Sequence, residues 1–499
     1  MLQKSSISAH IARRSPNTGQ AASPERRPLV LDLDQTLLRS DLLVECLVAM
    51  VRERPSTIFR VAGWLMRGKA HLKRKVAEYA HIDPADLPVN EEVAAFAAGR
   101  KSEGQRVVIA TAADETAARR LLARFPFVDE VIGSDGVRNL KGEAKARLLQ
   151  MRFPQGFDYA GDSAADLPVW RASAGMILVE PKATVARAAE RIMPADLHFR
   201  RPPVWNVWAR ALRLHQWVKN ALVFAPLLLS GMIGDTQAWG AALLAFVGLG
   251  LTASATYVLN DLIDLPHDRK HRSKSGRPLA SGRMPLAHGM ALAGLALPAG
   301  LAMAALAGTH VLGGVLVYLA ATILYSVHLK RIPFLDTATL AGLFTLRLGI
   351  GIVATGAPPS TWLLAFSMFL FLSLSLAKRF VEIASMRGRG RIALPGRGYR
   401  TEDEPVVAGF GVASAVASIV LFVLYLSNEG AVKATFIGTE LLWIFPVLLF
   451  LWLSRIWILS ARGEMKDDPV AFSIRDRVSL WLGALSFCLF AVAIGWSAQ

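Results

Sequence analysis

Trp239–Leu259 followed by Asn260-Asp261-Leu-Ile-Asp264-Leu-Pro-His-Asp268 decides how this chain folds. Twenty-one uncharged residues run without a break, and three carboxylates then fall within eight positions. A run of about twenty such residues crosses a bilayer as a helix. If that helix continues past Leu259, offsets of three and seven from Asp261 hold the acids within about 60° of one another. Three like charges on one face repel unless a divalent cation is shared, and Mg²⁺ is usually held by carboxylates together with substrate phosphates. Arg269, Lys270, Arg272, Lys274 and Arg277 follow at once. Acids for a metal and bases for phosphate, at a membrane face, point to chemistry on a lipid phosphate or diphosphate.

Outward from this stretch, hydropathy divides the 499 residues into two regimes, so the 53% hydrophobic content is an average of unlike parts. Residues 1–27 are polar, with Arg13, Arg14, Arg26 and Arg27 and no apolar core. They read as a disordered cytosolic tail and not as a signal peptide. Residues 28–195 read as a soluble domain, and 196–215 as a linker. From 216 to 499 apolar segments recur at 218–234, 238–260, 286–307, 309–327, 335–356, 361–378, 406–427, 436–458 and 478–497. The expected architecture is therefore an α/β domain followed by an all-α polytopic domain of about nine membrane helices. The net charge of +17 sits mostly in loops between those helices, which membrane orientation explains without nucleic acid. Loops holding Arg269–Arg283, Lys330 and Arg331, Arg387–Arg400 and Arg462–Arg477 alternate with loops whose one basic residue is Lys433. The positive-inside rule puts the N-terminal domain and the acidic cluster in the cytosol and the C-terminus outside, in an inner or cell membrane. Cys46 and Cys488 are too few for a disulfide framework.

The soluble part carries an ordered series of signals. Pro28–Leu38 reads as a short buried strand ending in Asp32-Leu-Asp34-Gln-Thr36. Arg106–Thr111 is a second strand ending in a hydroxyl, Lys141 precedes a helical stretch, and Phe157–Gly161 is a third strand followed by Asp162 and Asp166. Acids at the carboxyl ends of strands lie in the usual ligand crevice of an open α/β sheet. This series resembles the haloacid dehalogenase superfamily. The resemblance implies that Asp32 is a nucleophile forming an aspartyl-phosphate and that Asp34 is a general acid/base. It further implies that Thr111 and Lys141 hold phosphoryl oxygens, and that Asp162 and Asp166 complete a Mg²⁺ site with Asp32 and Asp34. Covalent transfer of this kind needs one carboxylate as nucleophile and a second to manage protons. Residues 39–80 fall where such enzymes insert a helical cap, and Leu42–Val51 and Ile58–Met66 fit that role.

The membrane part keeps polar residues where a purely structural bundle would avoid them. Trp217-Val-Lys219-Asn220 opens the first segment, Tyr325, Lys330 and Asp336 surround a later turn, and Lys378, Arg379 and Glu382 close the sixth segment. Arg347 lies eleven residues past Asp336 on nearly the same helical face, about 16 Å along the axis. With the Asn260–Asp268 pattern, residues 205–499 resemble the UbiA superfamily of intramembrane prenyltransferases. In that family such acids bind Mg²⁺ on a diphosphate. Aromatic prenyltransferases of the superfamily carry a second Asp-rich motif after the sixth helix, where this chain has Lys378-Arg379-Phe-Val-Glu382. His215–Asn220, Arg277-Pro278-x-Ala280-x-Gly282, Tyr325–Lys330, Ala377–Glu382 and Asp467-Asp468-Pro469 near Asp476 resemble the decaprenyl-phosphate phosphoribosyltransferase-like branch.

That branch implies phosphoribosyl diphosphate as donor and a polyprenyl phosphate as acceptor. One diphosphate leaving group suits one metal site, Asp261, Asp264 and Asp268 with Mg²⁺. Arg347 and Lys330 are expected at the reacting centre. Lys219, Asn220, Asn260, Lys274, Arg277, Tyr325, Lys378 and Arg379 are expected to bind phosphate groups. A tethered phosphatase would then remove the 5-phosphate of the product. Two other readings fit parts of the pattern: prenylation of an aromatic acceptor by a prenyl diphosphate, and a lipid-binding or transport protein without chemistry.

Overall fold

The computed structural model describes residues 27–200, 206–271, 274–388, 390, 392–394, 396–428, 439–465, 469–473 and 475–495. All but the last residue of the tail read at 1–27, and Arg272, Lys433, Asp467 and Asp468, lie outside the described residues. The chain divides into two compact units at residue 203.

The first unit is built on short runs of Val, Ile and Leu that become six parallel strands. They are β1 (Leu29–Leu31), β2 (Val107–Asp114), β3 (Glu130–Ser134), β4 (Asp158–Gly161), β5 (Gly175–Val179) and β6 (Leu197–Phe199), in the order β3-β2-β1-β4-β5-β6. Strand side chains alternate between faces, and both faces here are covered. Leu29, Leu31, Val107, Ile109 and Ile177 pack into one core, while Val30, Val108, Tyr159, Met176 and Leu178 pack into the other. That explains why these strands read as continuous apolar runs. β6 falls inside the segment read as linker and pairs with β5 in register Ile177↔Leu197.

Between β1 and β2 stand α1 (Leu42–Glu53), α2 (Ile58–Met66), α3 (Lys69–Tyr79) and α4 (Glu91–Ser102). The Asp41 side chain caps α1 by accepting from the Val44 N–H at 3.1 Å. The remaining helices of this unit are α5 (Glu115–Arg119), α6 (Glu143–Arg152), α7 (Leu167–Ala172) and α8 (Ala183–Glu190).

The second unit is helical. After α9 (Val207–Ala211), the segment expected to span from 218 to 234 does not form one helix. A tight 3₁₀ run, Leu214–Phe224, passes into α10 (Ala225–Leu229), with Pro226 in its first turn. Gly231 in the left-handed region (φ 71°) then ends it. α11 (Thr236–Ile263) and α12 (Leu265–Lys270) follow, and then α13 (Leu286–Ala307), α14 (Thr309–Val327), α15 (Leu335–Thr355), α16 (Thr361–Arg387), α17 (Glu404–Asn428), α18 (Ile444–Ala461) and α19 (Arg477–Gly495). Among the described residues seven helices are long and apolar enough to cross a membrane: α11, α13 to α18. α19 is apolar but shorter in its qualifying part. This is an integral membrane protein.

α11 and α13 approach closely because both carry glycine at the crossing. A Cβ on Gly248 would stand 2.8 Å from the Gly300 carbonyl oxygen, and one on Gly300 would stand 2.6 Å from Thr252 Oγ1. Small residues at such crossings let helix backbones meet in a bilayer.

Candidate active sites

The strand order of the first unit reverses direction between β1 and β4, the crevice where open α/β sheets place their ligands. Asp32 leaves the end of β1, and its N–H bonds the Ala160 carbonyl of β4 at 2.9 Å. Its Oδ1 accepts from the Leu33 N–H (2.9 Å) and from Lys145 Nζ (3.0 Å). Lys145, on α6, is buried, also donates to the Tyr159 hydroxyl at 3.0 Å, and lies 3.8 Å from Asp166 Oδ1. Tyr159 donates to Asp166 at 2.7 Å. The other oxygen of Asp166 accepts from the N–H and hydroxyl of Ser163 (3.0 and 2.9 Å), which ties down the loop that presents Asp162. Gly161 permits this, since a Cβ there would sit 2.9 Å from Asp166 Cγ.

Oxygens of Asp32, Asp162 and Asp166 lie within 4.8 Å of one another. Three clustered carboxylate oxygens suit a hard, oxygen-liganded divalent cation such as Mg²⁺. The Asp34 carboxylate is not in that group; it accepts the Leu42 N–H at 2.7 Å instead. Thr111 is buried in β2, and its hydroxyl accepts the Ala113 N–H at 2.9 Å. A cavity of about 370 Å³ joins Asp32, Asp34, Asp162 and Asp166 to Lys69, Lys73, Asn139 and Lys141, and Thr111, fully buried, does not line it, contrary to expectation. Lys145, not Lys141, reaches Asp32, and Lys141 lines the cavity beside it. Lys73 enters from α3 and donates to the Ala112 carbonyl and to Asn139 Oδ1 at 2.7 Å. Neither Lys145 nor Lys73 was singled out from the sequence. Lys145 lies four residues past Lys141 and inside α6, whereas Lys141 precedes that helix.

Burial raises the Asp32 carboxyl to about 6, with Lys145 opposing the rise and Asp166 adding to it. Asp162 rises to about 8, from burial first and then from Asp32 and Asp166. Asp34 is held well above the carboxylate range by burial and by its neighbours Asp41 and Asp32. Burial pulls Lys145 down, but the charges of Asp32 and Asp166 outweigh it and its affinity for a proton is raised.

In the second unit the acids of the opening stretch stand at the junction of α11 and α12. Hydrogen bonds continue through the break, from Asp264 N to Asn260 O (2.8 Å) and from Asp268 N to Asp264 O (2.9 Å). The three acids are not drawn into one three-ligand group; among the described residues Asp32, Asp162 and Asp166 form that kind of group. Two of them are bridged by arginine instead. Arg277 Nη1 donates to Asp261 Oδ1 at 2.8 Å and also to Asp268. Asp261 accepts from Arg213 as well, and Lys274 stands 3.7 Å from Asp268 Oδ1. Asp264 accepts from Asn260 Nδ2 at 3.0 Å. Asp268 Oδ1 is buried and accepts no hydrogen bond, with the Lys274 ammonium as its nearby counter-charge. Arg213 was not singled out from the sequence. It is held in the left-handed region (φ 51°), with its guanidinium 4.8 Å from the Tyr257 ring.

Asp336 and Arg347 do not pair. Arg347 is buried and donates to Asn220 Oδ1 (2.9 Å), the Leu343 carbonyl (2.6 Å) and the Tyr318 hydroxyl (3.0 Å). Its guanidinium and the Lys219 ammonium both face the Phe344 ring, at 5.0 and 5.8 Å. Asp336, fully buried, accepts instead from Arg379 Nε (2.7 Å), Tyr399 (2.7 Å) and Arg397 (3.2 Å). Arg379 also bonds Glu382, and Tyr325 accepts from Arg397 at 3.2 Å. Lys330 is half-buried in the turn Leu329–Arg331, and Lys378 is half-buried on α16.

Residues 222–483 match the UbiA prenyltransferase family, and residues 29–171 match the haloacid dehalogenase-like hydrolases. The chain belongs to the UbiA prenyltransferase family. It is a transferase of that family preceded by a haloacid dehalogenase-like domain. A protein of Sinorhizobium fredii named "Uncharacterized protein y4nM" is 38% identical over 474 residues, 94% of this chain and 91% of that protein. A match that long takes in both units. Nodulation protein NoeC of Azorhizobium caulinodans is 31% identical over 294 residues, 58% of this chain and 91% of that protein. Decaprenyl-phosphate phosphoribosyltransferase of Corynebacterium glutamicum is 37% identical over 190 residues, 37% of this chain and 57% of that protein.

Proposed function

We propose that the membrane unit transfers phosphoribose from phosphoribosyl diphosphate to a polyprenyl phosphate, and that the N-terminal unit then removes the 5-phosphate. One observation carries this reading. Where a second acidic motif would serve a prenyl diphosphate, α16 presents Lys378 and Arg379, and Arg379 is locked to Asp336 and Glu382. The Asn260–Asp268 motif keeps its acidic group, Asp261, Asp264 and Asp268, already laced with Arg213, Lys274 and Arg277. That balance suits one diphosphate leaving group and a second anionic partner. The name of the corynebacterial relative supports the same donor and acceptor classes.

Arg213 and Arg277 would release the acids and turn to the donor's phosphates as it binds. Mg²⁺ held by Asp261, Asp264 and Asp268 would neutralise the departing diphosphate. Arg347, clamped by Asn220 and Tyr318, would bind the acceptor phosphate with Lys219. The acceptor oxygen is already anionic and needs no general base.

In the N-terminal unit both contacts to Asp32 fall on Oδ1, which leaves Oδ2 to attack phosphorus. Lys145 fixes that carboxylate and screens the incoming anion. Asp34, whose proton affinity burial raises, would give a proton to the leaving sugar oxygen and then take one from water. Both reactions belong on the cytosolic face of the cell membrane, with the C-terminus outside, an orientation that requires the broken segment 214–234 and α19 to cross as well.

Purified full-length protein given ribose-labelled phosphoribosyl diphosphate and polyprenyl phosphate is expected to form a lipid-linked pentose. No labelled lipid would defeat the transferase reading. Unchanged dephosphorylated product from Asp32→Asn would defeat the phosphatase reading.

A further inference from the structure

α2 is the least covered helix of the first unit. Nine residues long, it has no fully buried side chain. Val61 and Trp64 attach it to the core, Trp64 stacking on Tyr79 at 5.4 Å. Ile58, Phe59, Ala62, Leu65 and Met66 turn the other way and are exposed, Phe59 and Met66 by 84% and 85%. At 100° per residue these five positions form one stripe about 120° wide. Single exposed apolar residues are ordinary. A stripe that includes Phe, Met, Ile and Leu on a helix held by two apolar side chains and the Arg60–Tyr79 hydrogen bond is not.

Charge identifies what covers it. From Arg52 to Lys75 the cap carries eight Lys and Arg residues and one acid, Glu53. Arg54, Arg67 and Lys69 stand exposed at the two ends of the stripe. An apolar face bounded by cations is the composition of a helix lying in an anionic lipid interface, where long basic side chains reach phosphate while the apolar face enters the acyl boundary. The same chain supplies the anchorage, since its other unit carries seven helices able to span a bilayer.

We infer that α2 docks the haloacid dehalogenase-like domain onto the surface of an anionic bilayer. Docking has a consequence for the cavity. Gly68, with φ 111°, turns α2 directly into α3, and α3 brings Lys69 and Lys73 to the cavity wall. A docked α2 therefore sets the cavity mouth at headgroup level, in reach of a phosphate carried by a lipid. The inference stands on exposure and charge and does not depend on which phosphate is cleaved.

Full-length protein with Cys488→Ser is reconstituted in vesicles containing phosphatidylglycerol, with an environment-sensitive nitrobenzoxadiazole label at Phe59→Cys or Met66→Cys. Met151→Cys, exposed on α6, serves as the control site. Docking predicts blue-shifted emission at 59 and 66 that doxyl-labelled lipid quenches at least twofold more than at 151. Pure phosphatidylcholine, or Arg54→Glu with Arg67→Glu, should remove that difference. Water-like emission at 59 and 66 would overturn the inference. So would blue-shifted emission that lipid-borne quencher leaves untouched, because the cover would then be protein. Release of phosphate from a small soluble aryl phosphate, unchanged by the labels, shows that the domain is folded in each preparation.

Discussion

Asp32 and Lys145 illustrate what single residues decide. The lysine is buried against two carboxylates, so replacing it removes the screening charge and leaves Asp32 beside Asp166 without compensation. Lys145→Ala is expected to lower kcat for phosphate release about 100-fold, the scale of losing one oriented donor at a reacting anion. Lys141→Ala, at the cavity wall, should cost about tenfold or less on the same scale. Steady-state phosphate release by the two variants checks the order. Protonation adds a second expectation. Asp162 and Asp32 must lose protons to bind Mg²⁺, and without metal they hold them up to about 8 and about 6. Apparent Mg²⁺ affinity should therefore fall as pH is lowered from 8 to 6, measured as the Mg²⁺ concentration giving half-maximal phosphate release. The acids of this site were legible because strand ends fix them in sequence. The contact of Lys145 in place of Lys141 with Asp32 was not, since it depends on where α6 begins and how it packs.

At the scale of elements, hydropathy located the long helices but not the break in the first segment. Residues 218–234 are apolar enough to span, yet Pro226 and Gly231 divide them, and hydropathy is blind to backbone geometry. Helix periodicity placed Asp336 and Arg347 on one face correctly. Three turns of separation nevertheless sent them to different partners, Arg379 and Asn220. The crossing of α11 and α13 positions the acidic motif, because Asp261 lies about three and a half turns past Gly248 on α11. Gly300→Val would force a side chain against Thr252 and Gly248. It is expected to destabilise the protein by about 1–3 kcal/mol, as overpacking does, and to reduce transfer by displacing Asp261. Gly240→Ala, on α11, meets open space and should change neither. Thermal unfolding in detergent with parallel transfer assays separates the two variants.

For the whole molecule, two units and their classes followed from composition and ordered motifs, because each motif is local in sequence. The long-range pairings were hidden. Arg213 with Asp261 spans 48 residues and Arg379 with Asp336 spans 43, distances at which only the folded chain selects partners. Joining the units on one chain has its own testable meaning. If the membrane unit makes a phosphorylated lipid and the first unit dephosphorylates it, tethering turns the second encounter into one of high effective concentration. Asp32→Asn should then accumulate the phosphorylated lipid at an undiminished rate, while Asp261→Ala with Asp264→Ala should form neither product. A mixture of these two proteins restores each activity on separate chains. It should give dephosphorylated lipid after a lag that lengthens on dilution in detergent, whereas the intact chain should show a lag unchanged by dilution. Equal lags for mixture and intact chain would mean that the fusion confers no channelling, and that the two activities meet only through lipid free in the membrane.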